Sequence, residues 1–217
     1  MESLHSKGAK NAFSKLSQNL DEYIFAAEAN DEQTYRDLFI HKECPMAFVQ
    51  HQPLGGDFTV YRSRMGNSIG ADEDITNPST FSYVPINKCS SSFPPLQRCN
   101  FSGQSVFYAS MSVKTNFKEI DKECSAGKEV YISKWCVDKD ANANMFRIIP
   151  PEGIDINEDY KGYLKIDAER KYPHYIIEYL RKIGNLFMND SGDKYDTKKY
   201  LPSALISNFI YDFCYTG

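Results

Sequence analysis

Residues 58–62 read Phe-Thr-Val-Tyr-Arg, and residues 129–135 read Glu-Val-Tyr-Ile-Ser-Lys-Trp. Both runs are rich in β-branched and aromatic side chains, which pack well on a pleated surface, so they predict β-strands. Residues 105–109 and 145–149 have a similar character and predict two more short strands. We therefore expect a small sheet in the middle of the chain.

Both ends of the chain have a helical period instead. Phe13, Leu16 and Leu20 recur every three or four residues, which is typical of an amphipathic helix. Asn30 and Asp31 then offer a break and an N-cap for a second helix. The predicted helices cover residues 11–29, 32–40, 112–122, 173–188 and 201–213.

Strands in the middle with helices at both ends predict an α+β fold rather than a doubly wound sheet. Residues 1–45 are expected to form an N-terminal helical appendage, and residues 46–217 the domain proper. Residues 63–97 contain many Gly and Pro residues and predict a long loop. A loop of that length in a compact domain is usually functional or disordered.

The composition excludes several classes of protein. The chain has 217 residues, 41% of them hydrophobic and 25% charged, with a net charge of −4. This charge argues against a surface built for nucleic-acid phosphates or anionic lipid. No apolar run approaches the roughly 18 residues of a membrane-spanning helix, and residues 1–7 lack the apolar core of a signal peptide. We expect a cytoplasmic protein with no nucleic-acid or membrane partner.

Standard motifs for nucleotide loops, nucleophile elbows and zinc proteases are missing. The six Cys and four His share no zinc-ligand spacing, so we expect free thiols and no metal. Aromatic residues make up 14% of the chain, with 15 Tyr and 14 Phe. They indicate either a Tyr-rich core or a pocket that stacks a planar ligand.

One stretch carries candidate chemistry. Arg98, Asn100 and Gly103 precede Tyr108, and Glu119 follows on a predicted helix. A guanidinium can bind phosphate, an aromatic ring can stack on a base, and a carboxylate can stabilise a developing cation. The alternative is that Arg98 and Glu119 form a surface ion pair and that Tyr108 belongs to the core.

The same residues carry a resemblance. The run Arg98-Cys99-Asn100-Phe101-Ser102-Gly103, then Tyr108, then Thr115-Asn116-Phe117-Lys118-Glu119, resembles the signature of the RES-domain family. Further similar segments are Val60-Tyr61-Arg62-Ser63-Arg64, Ser82-Tyr83-Val84-Pro85 and the strand Val130–Trp135. The likeness covers roughly residues 58–213.

The resemblance implies a compact fold like that of the ADP-ribosyltransferases, with a split β-sheet and flanking helices. Its members are toxins of bacterial toxin–antitoxin pairs that consume NAD⁺ by hydrolysis, phosphorolysis or ADP-ribosyl transfer. Glu119 and Arg98 would be catalytic, and Arg62, Arg98, Tyr108 and Asn100 would bind NAD⁺. The implied partners are NAD⁺, a cognate antitoxin protein and a possible second copy of the chain.

The resemblance departs at the C-terminus. The family's final strand carries a Ser, whereas this sequence ends at Tyr215-Thr216-Gly217, where that strand would begin. This departure leaves catalytic activity open and adds an alternative, a catalytically inactive RES-like binding or interaction module. A third possibility is an unrelated α+β protein in which Arg62, Arg98, Tyr108 and Glu119 do not converge.

Overall fold

A computed structural model describes residues 4–39, 50–53, 58–121, 127–138, 144–148, 174–188 and 197–216. Its helices are α1 (Leu4–Ala29), α2 (Glu32–Phe39), α3 (Val113–Asp121), α4 (His174–Met188) and α5 (Leu201–Thr216). Its strands are β1 (Gln50–Pro53), β2 (Phe58–Met65), β3 (Val130–Val137) and β4 (Asn144–Arg147). Short 3₁₀ turns cover Gly66–Ser68, Pro78–Phe81, Ile86–Lys88 and Thr197–Tyr200.

The chain divides into two compact units. We call the first the helical unit, which comprises Met1–His51, Pro95–Gly103 and Phe146–Gly217. We call the second the strand unit, which comprises Gln52–Pro94 and Gln104–Met145. The predicted boundary between residues 45 and 46 lies outside the described residues and stays a prediction.

The helical unit has one apolar core, to which both ends of the chain contribute. From α1 the buried side chains are Phe13, Leu20, Tyr23 and Ala27, which lie on one helical stripe. They share the core with residues of α4 and α5, among them Ile183. The core also includes Tyr35 and Phe39 of α2, and Leu96 and Phe101 of the segment Pro95–Gly103.

Polar contacts fix the ends and the crossing of these helices. The Asn30 side chain donates to the carbonyl of Ala26 at 2.7 Å, which ends α1. Asp31 accepts from the backbone N–H of Thr34 at 2.8 Å, so it is the N-cap of α2, as the sequence predicts. Lys182 of α4 contacts α1 through the Asp21 carboxylate at 2.5 Å.

The strand unit is built on the antiparallel pair β2 and β3. Phe58 lies opposite Val137 and Met65 opposite Val130, so all eight residues of each strand pair. Helix α3 packs on β2. Strands β1 and β4 form a second two-stranded sheet. The described part of the chain is thus a mixture of helix and strand, compatible with α+β.

The predicted strand over residues 105–109 is wrong. Residues 104–109 form no regular element, and the neighbouring chain meets β2 only at a single bridge between Tyr61 and Ser110. Residues 105–109 themselves pair with no strand among the described residues, so their β-propensity is not realised as a ladder. After Ser110 the chain turns into α3, where the Ser112 hydroxyl accepts from the Thr115 N–H at 3.1 Å. The strands predicted over 58–62, 129–135 and 145–149 correspond to β2, β3 and β4.

Tyr35 supplies a test of the helical core. The residue is 0% exposed, and its hydroxyl is buried without a hydrogen-bond partner among the described residues. Burial raises the pKa of the phenol, because the charged form is poorly solvated there. Tyr35→Phe should therefore leave the free energy of unfolding unchanged or raise it by up to about 1 kcal/mol. Urea unfolding measures the change.

The matched control is Tyr35→Ala, which also removes the ring that packs on Phe39 at 4.9 Å between centroids. This larger truncation should cost about 3–5 kcal/mol, as for other buried aromatic residues. A loss of more than about 1 kcal/mol for Tyr35→Phe would show that the hydroxyl does have a stabilising partner.

Candidate functional site

The pairing of β2 and β3 decides which side chains share a face. Alternate residues of a strand point to opposite faces, and directly paired residues point to the same face. Arg62 pairs with Ser133, and Arg64 pairs with Tyr131, so these four share one face. Two residues beyond Ser133, Trp135 lies on that face as well.

The opposite face of β2 packs on α3. Ser63 donates from its hydroxyl to the side-chain carbonyl of Asn116, which is 5% exposed. The Asn116 amide in turn donates to the backbone carbonyl of Tyr61 at 2.8 Å. Asn116 therefore fixes α3 on the face of β2 that carries Ser63, opposite the face that carries Arg62.

Arg62 has an unusual environment. Its guanidinium carbon lies 5.0 Å from the centroid of the Phe107 ring, a cation–π geometry. The Nη1 atom is buried and has no hydrogen-bond partner among the described residues. Burial lowers the pKa of Arg62, and the nearby charge of Arg64 lowers it further. An arginine remains protonated despite such a shift, so the described part of the chain leaves this buried cationic donor without an acceptor.

Aromatic rings extend from Arg62 to a cleft. Phe107 meets Trp135 edge to face, with centroids 5.2 Å apart. The indole N–H of Trp135 donates to the Ser133 hydroxyl at 2.8 Å, which holds the ring in place. Trp135 also lines an open cleft of about 300 Å³. The lining residues are Ile75, Thr76, Asn77, Pro78, Phe81 and the run Tyr131–Trp135.

Arg64 organises the loop that forms one wall of this cleft. Its guanidinium makes a bidentate pair with Glu73, with both N···O distances 3.0 Å. It also donates to the carbonyl of Thr80 at 2.6 Å and to that of Ser68. One side chain thus ties three points of the loop to β2. The predicted loop over 63–97 is therefore ordered around Arg64 in this segment.

Glu119 and Tyr108 lie in the strand unit with Arg62. Glu119 is exposed on α3, which packs on the face of β2 opposite Arg62. Tyr108 is half-buried and lies two residues before Ser110, whose N–H and C=O pair with Tyr61 at 2.9 and 2.7 Å.

Arg98 and Asn100 belong to the helical unit. The Arg98 guanidinium lies 5.9 Å from the centroid of the Tyr200 ring. Asn100 is 1% exposed, and its amide donates to the carbonyls of Pro95 at 3.0 Å and of Phe101 at 2.9 Å. Asn100 therefore stabilises the loop from Pro95 to Gly103, and its assignment to NAD⁺ stays a prediction.

Helix α2 holds the same loop. The Glu32 carboxylate accepts from the backbone N–H and from the hydroxyl of Ser102, both at 2.6 Å. Arg36, one turn later, lies 5.0 Å from the centroid of the Phe101 ring. Gly103 then takes a φ of 81°, which favours glycine.

Sequence reasoning missed the roles of Arg64, Glu73, Phe107 and Trp135. Only the last had a visible signal, since it is the single tryptophan of the chain. Cys89, Cys99 and Cys136 form no disulfide with one another, and the expectation of six free thiols stays a prediction. The side chains of the other three cysteines lie outside the described residues.

The pair of Arg64 and Glu73 predicts a pH dependence. Hydrogen bonds from Arg64 hold the pKa of Glu73 below its ordinary value of 4.5. A carboxyl with a lowered folded pKa stabilises the fold above its unfolded pKa, and this stabilisation is lost as the pH falls through the folded value. Glu73→Gln should therefore lower Tm at pH 6–8, and the difference from wild type should shrink below about pH 4.5.

Thermal unfolding followed by circular dichroism between pH 3 and 8 measures this difference. Asp72→Asn is the matched control, because Asp72 is a neighbouring exposed carboxyl without a described bond to Arg64. A constant Tm difference across the range would mean that Glu73 acts by shape and not by charge.

No protein-family model, no curated protein and no solved structure matches the chain. Among the described residues, no three His, Cys, Asp or Glu side chains cluster as metal ligands would. In the same part of the chain, none of the helices is both long and apolar enough to cross a bilayer.

Proposed function

We propose that the protein is a RES-type enzyme that binds NAD⁺ and cleaves its nicotinamide–ribose bond. The observation that supports this best is the buried Nη1 of Arg62, a cationic donor without an acceptor among the described residues. An unpaired buried donor costs free energy that a bound acceptor would recover. A pyrophosphate supplies such an acceptor with the charge and geometry that a guanidinium prefers.

The aromatic surroundings of Arg62 suit the rest of a dinucleotide. Phe107 lies under the guanidinium, and Trp135 lies against Phe107. Aromatic faces and edges of this kind bind planar heterocycles. Together, a half-buried cation and neighbouring rings favour an anionic ligand that also carries a ring.

In the proposed reaction, the bond between the ribose carbon and the nicotinamide nitrogen breaks. Its electron pair stays on nicotinamide, and positive charge develops on the ribose. An acceptor oxygen from water, phosphate or a protein side chain then bonds to that carbon, and a water or protein acceptor loses its proton. The Glu119 carboxylate would stabilise the developing cation. By the same resemblance, Arg98 would also be catalytic, the partner would be an antitoxin, and the site of action would be the bacterial cytoplasm.

A second candidate is a RES-like module that binds NAD⁺ without cleaving it. The placement of α3 favours this alternative, because Asn116 fixes the helix on the face of β2 opposite Arg62. Glu119 is exposed on that helix. Binding and turnover therefore have to be measured separately.

The test follows nicotinamide release and NAD⁺ affinity in purified full-length protein. Arg62→Ala should weaken NAD⁺ binding about 10- to 100-fold, because it removes hydrogen bonds to a charged group. Glu119→Gln should keep the affinity and lower turnover about 10²- to 10³-fold, the usual loss for a group that stabilises transition-state charge. Isothermal titration and a chromatographic nicotinamide assay give the two readouts.

Lys118→Gln is the matched control for Glu119, since Lys118 is its exposed neighbour on α3. It should change neither readout. Wild-type binding without nicotinamide release would favour the inactive module. The absence of both binding and release would contradict both candidates.

A further inference from the structure

In the part of the chain that the structure describes, strand β3 is an edge of its sheet. Among the described residues its ladder partner is β2 on one side, and no strand pairs with its other side. Strand β2 is covered on both sides at Tyr61, by β3 and by the bridge to Ser110. An edge strand presents a row of backbone donors and acceptors that can pair with another chain.

The register shows which groups point outward. Tyr61 donates its N–H to Ser110 and accepts from the Ser110 N–H, so its backbone groups point away from β3. Its pair with Lys134 is therefore not a hydrogen-bonded pair, and the N–H and C=O of Lys134 also point away from β2. By the same alternation, those of Ile132 point outward as well.

The cleft of the strand unit reaches this edge. A cleft on one face alone would be lined by alternate residues, whereas here all five residues from Tyr131 to Trp135 line it. The opposite wall is the loop that includes Ile75 and Phe81. Ile132 is 41% exposed and Ile75 is 48% exposed, so apolar surface flanks the outward backbone groups.

Lys134 gives the edge a charge. Its side chain is exposed, and the ion pairs of the described residues do not include it. It is the one charged residue among those that line the cleft. A partner with an acidic side chain at the paired position would complement it.

We propose that the free edge of β3 binds an extended polypeptide segment as an added antiparallel strand. An acidic residue of that segment lies opposite Lys134, and an aliphatic residue lies opposite Ile132. The backbone of the segment bonds to the outward groups of Ile132 and Lys134, and the loop from Ile75 to Phe81 confines it to one strand in width. This inference does not depend on NAD⁺ binding.

The probe is the synthetic peptide Val-Thr-Glu-Thr-Val-Thr-Val, with capped ends. In the antiparallel register its Glu lies opposite Lys134, and the Val two residues later lies opposite Ile132. Trp135 is the only tryptophan and lines the cleft, so its fluorescence reports occupancy in the unlabelled full-length protein. Titration should give a saturable change in emission.

Two N-methylated peptides test the backbone register. Methylation of the Glu amide and of the Val two residues later removes donors that face β3, so binding should be lost. Methylation of the two Thr amides on either side of the Glu alters only donors that face away from β3, so binding should persist. Equal effects of the two peptides, or no binding of the parent peptide, would overturn the proposal.

Charge exchange tests the pairing at Lys134. Lys134→Glu should weaken binding of the parent peptide about two- to fivefold, the range for an exposed ion pair. The same variant should prefer a peptide with Lys in place of Glu. Circular dichroism confirms that the variant is folded.

Sedimentation equilibrium tests whether a second copy of this protein, and not a different polypeptide, pairs with the edge of β3. A dimer that the peptide dissociates and Lys134→Pro abolishes would show that a second copy occupies the edge, and would overturn the proposal in this form. A protein that stays monomeric and binds the peptide supports it. Lys134→Pro removes an outward N–H and leaves the bonds between β2 and β3 intact.

Discussion

The antiparallel ladder between β2 and β3 is the constraint on which the strand unit depends. Its register sends Arg62 and Arg64 to one face, with Tyr131, Ser133 and Trp135, and sends Ser63 to the face that packs on α3. Because the side-chain period of a strand is two, a slip of one residue would exchange these faces. Such a slip would remove the cation–π contact of Arg62, the contacts of Arg64 with the loop and the packing of α3 on β2.

Helices and strands with a strong local pattern could be predicted from the sequence. The stripe from Phe13 to Ala27 and the cap at Asp31 are local features, so the sequence predicts α2 and most of α1. The predicted start of α1 at residue 11 is wrong, because the helix begins at Leu4. The strand predicted over 105–109 failed because residues with high β-propensity form a strand only if a partner pairs with them. Such a partner would lie far away in the sequence, so a local pattern does not show whether one is present.

The features that the sequence did not predict depend on contacts between residues far apart in the chain. The bidentate pair of Arg64 and Glu73 spans a loop whose composition gives no sign of order. The shared core of α1 with α4 and α5 joins opposite ends of the chain, although the N-terminal helices look like an appendage in the sequence. Candidate site residues show the same limit: a motif gives an order of residue types but not the face on which each lies. Asn100 is an example: the motif suggests a ligand-binding residue, whereas both donors of its side-chain amide bond to backbone carbonyls of its own loop.

Among the described residues of the strand unit, two sets of hydrogen-bonding groups have no partner, and they differ in kind. Arg62 offers a buried cationic donor, which calls for an anion, whereas the edge of β3 offers alternating neutral donors and acceptors, which call for another backbone. Trp135 belongs to both surroundings, because it lines the cleft and contacts the Phe107 ring under the Arg62 guanidinium. A strand bound in the cleft that shifts the indole would therefore change the packing around Arg62. Coupling between two such ligands would be reciprocal, so an anion at Arg62 would alter the affinity of the edge by the same factor.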